Sequence, residues 1–354
     1  MPNPVYARLA RHLDRLPDGF PPSRTGAELR LLETLFTPAQ AELALHLTLE
    51  PEPAAQIAAR AGLDAQETAA RLAEMADKGL IFARRGADGA WLYQAAPMFV
   101  GIYEWQVNNL RPDVLAAFAD HWSTQTDREQ PPSIPQVRTV PVGESIDKHL
   151  QAMTYEQVNA LVQAQTRFAV APCICRLHTR LASGRDCGAP KETCLMLGDW
   201  ADFYARSGRG RAISREEVLS ILTQAEASNL VIQPSNSREL SFICCCCGCC
   251  CGVLADLKRH PRPADVVASA FIAALDVEAC SGCFTCLERC QMEALREDLR
   301  RAAFLPERCI GCGLCVTTCP SGALTLQRKP AGPLTTVPAT MDENWRIKAR
   351  DRAG

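Results

Sequence analysis

The sequence predicts an α+β protein with three structural units: an N-terminal helical domain that ends in a hairpin, a central mostly helical cysteine-rich domain, and a C-terminal β/α module with pseudo-two-fold symmetry. Three observations predict this class. The front of the chain shows helical periodicity followed by a hairpin pattern, all 19 cysteines follow residue 172, and the last eight cysteines form two copies of one spacing. The N-terminal domain is predicted to cover 1–125, and a linker over 126–143 joins it to the central domain at 144–262. The C-terminal module covers 263–328, and a tail follows over 329–354.

The composition is that of an ordinary folded protein, since the net charge is -2 and charged residues make up 22% of the chain. The N-terminal residues lack the basic and apolar regions of a secretory signal, and no apolar run approaches the roughly 18 residues of a membrane span. We therefore expect a cytoplasmic protein without a membrane span. An odd number of cysteines in a reducing compartment argues against a disulfide framework and favours metal ligation.

The front domain has two predicted helices and a hairpin in the segment PEPAAQIAARAGLDAQETAARLAEMADKGLIFARRGADGAWLYQ. Ile57 marks a short first helix. Leu72 and Met75 have helical spacing in a second helix, which begins near Asp64 and ends before Gly79. The letters ADG form the predicted turn between two short strands. This order, over about residues 25–96, resembles a winged helix-turn-helix domain, and we call it the winged-helix-like domain.

A winged helix raises the question of a DNA partner, which the charges disfavour. From Asp64 to Lys78 the second helix has four acidic and two basic side chains, whereas contact with phosphate needs the opposite balance. Arg84 and Arg85 of the hairpin could touch a DNA backbone, but two arginines on a hairpin are usually just solvated. We therefore expect a structural or protein-interaction role for this domain.

Three segments connect or follow the domains. The aromatic-rich segment MFVGIYEWQVNNLRPDVLAAFADHW is expected to form a helix that packs the front domain onto another part of the protein. The prolines of QTDREQPPSIPQVRTVPVG favour an extended, semi-rigid linker over 126–143. The last residues, 329–354, are expected to form a loosely ordered, flexible tail.

The C-terminal cysteines form an internal duplication. Both sets have the spacing C-x2-C-x2-C-x3-C, and each cysteine of the second set lies 29 residues after its counterpart. Glu278 and Glu307 share this offset, as do the Ala-Leu pairs at 294–295 and 323–324. The two sets are Cys280, Cys283, Cys286 and Cys290, then Cys309, Cys312, Cys315 and Cys319.

This pattern, over about residues 268–328, resembles a bacterial ferredoxin with two 4Fe-4S clusters. Three thiolates on a tight loop can reach one cluster while the fourth reaches a second one, and a zinc site fits this crossed arrangement less well. Pro320 follows the last cysteine as in the family, whereas Gln291 stands where the family has its first proline. The resemblance implies one cluster bound by Cys280, Cys283, Cys286 and Cys319, and another bound by Cys309, Cys312, Cys315 and Cys290.

The central domain has further cysteines in two groups, four scattered and seven in the run ICCCCGCCCG. Extended neighbours point to opposite sides, so one cluster cannot bind all seven thiols of the run unless glycines such as Gly248 fold the backbone sharply. Either the scattered thiols hold one cluster and the run a second, or thiols of both segments converge on one larger cluster. The candidate ligands are Cys173, Cys175, Cys187, Cys194, Cys244, Cys245, Cys246, Cys247, Cys249, Cys250 and Cys251.

The segments CICR at 173–176, ETC at 192–194, residues 208–217 and the run at 244–251 resemble a group of bacterial and archaeal iron-sulfur proteins with no settled reaction. This resemblance covers about residues 100–325 and implies iron-sulfur binding. Four nearby arginines have two interpretations. They either offset the charge of thiolate-bound iron or dock an acidic partner, or they lie on a solvated face. They are Arg176, Arg206, Arg209 and Arg211. His178 could add a ligand, although a surface position is the expected one.

These observations predict an electron-transfer protein with two 4Fe-4S clusters and an additional iron-sulfur cluster in the central domain, working with a redox protein or enzyme as its partner. Two alternatives stay open. One is a reductase with substrate bound at the central cluster, and the other is a redox-sensing regulator that acts through the winged helix. No flavin, nicotinamide or molybdenum motif is visible, and the sequence identifies no catalytic residue.

Overall fold

The computed structural model describes residues 3–124, 134–145 and 156–353. Its helices are α1 (Pro4–Leu13), α2 (Ala27–Leu35), α3 (Pro38–Ala44), α4 (Ala54–Ala61), α5 (Ala65–Asp77), α6 (Pro112–Ser123), α7 (Val158–Gln163), α8 (Ile174–Ser183), α9 (Asp199–Arg206), α10 (Arg215–Ala227), α11 (Gly252–Arg259), α12 (Thr285–Arg289) and α13 (Met341–Ala353). Its strands are β1 (Glu52–Pro53), β2 (Phe82–Arg85), β3 (Trp91–Gln94), β4 (Phe168–Pro172), β5 (Glu192–Leu197), β6 (Arg211–Ala212), β7 (Val231–Pro234), β8 (Phe242–Cys246), β9 (Phe271–Leu275), β10 (Leu295–Asp298), β11 (Arg301–Phe304) and β12 (Leu324–Arg328).

The front domain contains the expected sequence of helix, helix and hairpin. Asp64 caps α5 by accepting hydrogen bonds from two backbone N–H groups of its first turn, both at 2.9 Å. Ile57 of α4 and Leu72 and Met75 of α5 are fully buried. Strand β2 pairs with β3, and β1 pairs with the other edge of β3. The helical periodicity in the sequence therefore marks the face that packs into the core.

The aromatic segment after the hairpin is not one continuous helix. Met98–Ile102 and Glu104–Gln106 form short turns, and α6 follows them. Trp105 is buried, with its ring centroid 5.7 Å from that of Phe82 in the front domain and 5.6 Å from that of Trp200 in α9. The segment packs the front domain against the central domain through these rings.

A five-stranded antiparallel sheet lies at the centre of the cysteine-rich domain, in the order β6-β4-β5-β8-β7. The prediction of a mostly helical domain missed this sheet, because its strands are short and β8 is mostly cysteine. Side chains alternate between the two faces of the sheet. One face packs against α9 and the front domain, and the other packs against α7 and α10.

The described part of the predicted linker, 134–143, is built into this core. A β-bridge joins Val137 to Ser235. Val140 and Val142 are buried among apolar side chains of the central domain. These residues are therefore part of the packed structure and do not form a spacer between separate domains, while 126–133 lie outside the described residues.

The C-terminal module contains two antiparallel strand pairs, β9 with β12 and β10 with β11. A shift of 29 residues along the chain moves β9 onto β11 and β10 onto β12. The strand pairs thus repeat with the same 29-residue offset as the two cysteine sets. The symmetry is approximate, since α12 has no regular helix as its counterpart in the second half.

The prediction of a flexible tail over 329–354 is wrong for α13, which packs on the front domain. Trp345 is buried, and its Nε1 donates a hydrogen bond to Oε1 of Gln136 at 2.6 Å. Asp342 forms an ion pair with Arg84 of the hairpin at 2.7 Å, and three further ion pairs join α13 to the front domain. The charged side chains of α13 thus pair with residues far away in the sequence.

Candidate metal centres

Two loops of the C-terminal module carry its eight cysteines. The first loop runs from β9 into α12, and the second follows β11. Cys283 of the first loop is exposed, whereas Cys309 and Cys315 of the second loop are buried. The first set of thiols therefore reaches the surface, and the second lies mainly inside the protein.

Each loop has a glycine at a position that no other residue fits. Gly282 and Gly311 have φ of +70° and +73°. A Cβ atom on Gly282 would lie 2.2 Å from the carbonyl oxygen of Arg300, and one on Gly311 would lie 2.1 Å from the carbonyl oxygen of Phe271. The two glycines and the two carbonyls are each related by the 29-residue shift. Both loops therefore fold tightly enough to present several thiols to one small space.

Backbone N–H groups point at the sulfurs. Those of Ala273 and Gly311 each donate to Sγ of Cys309 at 3.4 Å, and that of Ala294 donates to Sγ of Cys290 at 3.2 Å. Such hydrogen bonds favour thiolates and are a usual part of the environment of thiolate-bound iron. The donor set and its surroundings fit 4Fe-4S clusters.

The last cysteine of each set adjoins the other set. Burial raises the pKa of Cys312 to about 12, and Cys290 is among the thiols that add to this rise. Burial likewise raises the pKa of Cys286 to about 11, and Cys319 is among the thiols that contribute. Cys290 thus lies near the second-loop thiols, and Cys319 near the first-loop thiols.

The seven-thiol run is the segment Cys244–Cys251, and its first three thiols belong to strand β8. Cys244 lies directly opposite Cys194 of β5 in the antiparallel register. Cys245 points to the opposite face, where it is buried among apolar side chains. The alternation along the strand therefore separates neighbouring thiols of the run.

One group, called here the six-thiol group, combines both central segments, and three of its members, Cys194, Cys246 and Cys251, are buried. Interactions between neighbouring thiols connect its members in a continuous series that begins at Cys173 and ends at Cys194. No three of the six sulfurs lie within 4.8 Å of one another. The members, in the order of these contacts, are Cys173, Cys175, Cys251, Cys246, Cys244 and Cys194.

A second group, called here the four-thiol group, lies nearer the surface and consists of Cys187, Cys247, Cys249 and Cys250. All four sulfurs lie within 4.8 Å of one another. Of the two arrangements left open by the sequence, neither matches this division fully. Thiols of both central segments do converge, but they form two groups, and Cys245 belongs to neither.

Each group contains a thiol that ionises readily. Hydrogen-bonding interactions with neighbouring thiols lower the pKa of Cys251 to about 6. Burial raises the pKa of Cys247, but interactions with Cys249 and Arg176 outweigh it and lower this pKa to about 7. In contrast, burial raises the pKa of Cys245. Since the thiolate is the form that binds metals, each group has at least one thiol that suits ligation. Burial also raises the pKa of Cys249, so the position of Cys245 on the opposite face of the sheet, and not its pKa, separates it from the two groups.

Arg176 lies among the central thiols and is 8% exposed. Its Nη1 donates to the carbonyl oxygen of Cys245 at 3.2 Å and lies 3.8 Å from Sγ of Cys247, while Nη2 donates to Thr193. In the part of the chain that the structure describes, this guanidinium forms no ion pair with a carboxylate. Its charge is directed at the thiols, in agreement with the interpretation that it offsets the charge of thiolate-bound iron.

The other arginines considered with Arg176 have different partners. Arg209 donates hydrogen bonds to backbone carbonyls of the front domain. Arg206 and Arg211 form ion pairs with carboxylates. Arg206 and Arg211 are exposed, in agreement with the interpretation of a solvated face, whereas the buried Arg209 matches neither interpretation.

The expected surface position of His178 is wrong. The residue is 8% exposed, and its ring centroid lies 4.8 Å from that of Trp122. Its Nδ1 has no hydrogen-bond partner among the described residues, and burial lowers its pKa. His178 is a neutral ring in an aromatic layer, packed there because α8 faces α6 and the aromatic segment.

Three ionisable residues near the six-thiol group were not singled out by the sequence. Burial raises the pKa of Glu104 to about 8, and the nearby Cys244 adds to the rise. Burial also raises the pKa of Tyr103 and Tyr204, with thiols of the group contributing. The Tyr204 hydroxyl has no hydrogen-bond partner among the described residues. Tyr103 and Glu104 belong to the aromatic-rich segment, for which the sequence predicts packing, whereas Tyr204 lies in α9, where the sequence carries no such signal.

Gln291 connects the C-terminal module to the seven-thiol run. Its Oε1 accepts a hydrogen bond from the backbone N–H of Gly248 at 2.6 Å. A Cβ on Gly248 would lie 2.7 Å from the Gln291 carbonyl oxygen, so the two segments are in close contact. The adjacent Met292 is buried in the same apolar cluster as Cys247 and Cys251.

Comparison with known proteins identifies one part of the chain. The family model for the 4Fe-4S binding domain matches residues 302–325, which include the second cysteine set of the C-terminal module. No curated protein and no solved structure gives a significant match to the chain. Among the described residues, no helix is long and apolar enough to cross a membrane. The chain therefore contains a 4Fe-4S binding domain and further groups of cysteines that could bind metal.

Proposed function

We propose that this protein transfers electrons through iron-sulfur clusters, with two 4Fe-4S clusters in the C-terminal module and an additional cluster at the six-thiol group. The clusters supply one-electron chemistry. The observation that carries the proposal is the contact of Gln291 with Gly248, because it joins the module to the seven-thiol run. A chain that served only to store iron would not need this close connection between separate thiol groups.

The proposed ligand sets in the module are crossed. The proximity of Cys290 to Cys312, and of Cys319 to Cys286, supports this crossing. One set is Cys280, Cys283, Cys286 and Cys319, and the other is Cys309, Cys312, Cys315 and Cys290.

The thiol groups are ordered from the surface to the interior. Cys283 is exposed, so a redox partner can approach the first set directly. The second set lies deeper, where Cys290 and Cys312 pack against the apolar cluster that contains Cys247 and Cys251. Cys246 and Cys251 of the six-thiol group belong to this same cluster, and Cys194 of that group belongs to the cluster shared with the front domain. This order suits a chain that accepts electrons at one surface and delivers them to an interior site.

A second candidate function is a reductase whose substrate binds at the six-thiol group. The observation that favours it is the raised pKa of Glu104, about 8, because a protonated carboxyl group near a redox site could supply a proton during reduction. The six thiols also exceed the four that a 4Fe-4S cluster needs.

The redox-sensing regulator has less support. Arg84 is engaged by Asp342, and the guanidinium of Arg85 lies 4.0 Å from the centre of the Trp91 ring. These contacts occupy the two hairpin cations that could have touched DNA. We therefore assign the front domain and α13 a structural role around the interior site.

The test is to purify the full chain without oxygen and to measure iron and acid-labile sulfide per chain. Two 4Fe-4S clusters account for about eight irons. We expect a higher content, which falls toward this value when Cys246 and Cys251 are both replaced by serine. Electron paramagnetic resonance should show signals that appear on reduction with dithionite and vanish on reoxidation. A chain without sulfide, or without reversible signals, would contradict the proposed function.

A further inference from the structure

The four-thiol group differs in geometry from every other group of thiols in the described residues. It is the one place there where three or more potential metal ligands have all their ligand atoms within 4.8 Å. Sγ of Cys249 and Sγ of Cys250 are 3.7 Å apart. Cys187 comes from the loop between α8 and β5, so the group joins two segments that are distant in the sequence.

These distances fit one metal ion better than a cluster. In a tetrahedral site with metal–sulfur bonds of about 2.3 Å, the sulfurs lie about 3.8 Å apart. Thiolates that bind four separate irons at the corners of a cube must be farther apart. Among the described residues, neither the six-thiol group nor the module cysteines bring three sulfurs within 4.8 Å of one another, so neither has the geometry of a site for one tetrahedral ion.

The charges around the group fit as well. Four thiolates and one divalent ion carry a net charge of -2, which requires positive charge nearby. Arg176 is buried, and its Nη1 lies 3.8 Å from Sγ of Cys247. Arg185 donates to the carbonyl oxygen of Cys249 at 2.6 Å, which brings a second guanidinium to the same loop. A buried guanidinium that faces thiols and no carboxylate has its counter-charge only when the thiols are ionised.

We propose that Cys187, Cys247, Cys249 and Cys250 bind a single thiophilic divalent ion, Zn²⁺ or Fe²⁺, in tetrahedral coordination, separate from the iron-sulfur clusters. Four protein ligands close the coordination shell, which is the arrangement of a structural site. The ion would hold the loop before β5 against the seven-thiol run. It would thereby fix the positions of Cys246 and Cys251, which belong to the six-thiol group.

The test compares three forms of the full chain purified without oxygen: the wild type, the double variant Cys187→Ala/Cys249→Ala, and the control Cys245→Ala. The replaced ligands are not buried, so their loss leaves no cavity in the core. We expect the double variant to lose one metal ion per chain and no acid-labile sulfide. Loss of one zinc or of one iron identifies the ion. The control should keep all its metal.

Two results would overturn this site. Either the double variant keeps its full metal content, or it loses several irons together with an equal amount of sulfide. The latter would mean a cluster at the four-thiol group and would leave the proposed electron transfer intact. Loss of the sulfide of all clusters in the double variant would instead indicate misfolding. In that case the spectrum of the wild-type protein tests the proposed site. Its X-ray absorption at the zinc edge, or its Mössbauer spectrum for iron, should show one ion with four sulfur neighbours and no adjacent iron.

Discussion

Oε1 of Gln291 accepts a hydrogen bond of 2.6 Å from the backbone N–H of Gly248, which joins the C-terminal module to the middle of the seven-thiol run. Gln291 occupies the position where the ferredoxin pattern has a proline, and a proline could not provide this acceptor. The departure from the pattern therefore has a structural explanation in this chain.

Replacing Gln291 with alanine should destabilise the contact between the module and the run. The Gly248 N–H would be left without its acceptor, at a cost of about 1–3 kcal/mol. Gln291→Glu is the matched control, because it keeps a side-chain oxygen at the same position. We expect thermal unfolding of the alanine variant at a lower temperature, with iron content unchanged. Equal stability of the two variants would show that the hydrogen bond contributes nothing.

The grouping of the C-terminal cysteines could be predicted from the sequence because all eight lie within one short duplicated segment. The central groups could not, because they depend on long-range pairing. Strand alternation predicts that Cys244 and Cys245 diverge, but only the register of β5 and β8 brings Cys244 to Cys194. The same limit applies to α13. Its charges resemble those of a tail until the structure shows that Asp342 pairs with Arg84, more than 250 residues away.

Replacing Gly311 with alanine should remove one cluster from the module. A Cβ there would lie 2.1 Å from the carbonyl oxygen of Phe271, so the loop that carries Cys309 and Cys312 would have to move. The matched control is Gly322→Ala, since Gly322 also has positive φ, +67°, but has nothing within 4 Å of its Cβ position. We expect the first variant to lose about four irons and the control to lose none. Equal iron contents would show that the loop tolerates a side chain.

Replacing Trp345 with alanine should loosen α13 from the front domain. Truncation of a buried tryptophan typically costs about 3–5 kcal/mol, and Trp345 is 1% exposed. Trp345→Phe is the control, because it keeps a ring but loses the hydrogen bond to Gln136, for a smaller loss of about 1 kcal/mol. Thermal unfolding should therefore rank the wild type above the phenylalanine variant and both above the alanine variant. If α13 were a loosely attached tail, all three would unfold at the same temperature.

Replacing Glu104 with glutamine should stabilise the protein increasingly as the pH rises. Burial is the main cause that raises the pKa of Glu104 from 4.5 to about 8, with smaller contributions from Cys244 and Asp18. Between pH 4.5 and about pH 8 the folded state therefore keeps a proton that the unfolded state has lost. The free energy of unfolding of the wild type decreases as the pH rises through this range. Each unit of pKa shift corresponds to about 1.4 kcal/mol. Glutamine does not titrate, and its amide oxygen can still accept the hydrogen bond from the Gly101 N–H.

The measurement is the difference in unfolding temperature between Glu104→Gln and the wild type from pH 5.5 to pH 9. We expect this difference to grow up to about pH 8, the pKa of Glu104 in the folded protein, and to level off above it. Glu52→Gln is the control with the opposite sign, because the hydrogen bond from Arg60 lowers the pKa of Glu52 and stabilises its charged form. That variant should be less stable than the wild type throughout this range. A difference for Glu104→Gln that does not change with pH would mean that its carboxyl group is already ionised in the folded protein, and the case for a proton donor beside the six-thiol group would be lost.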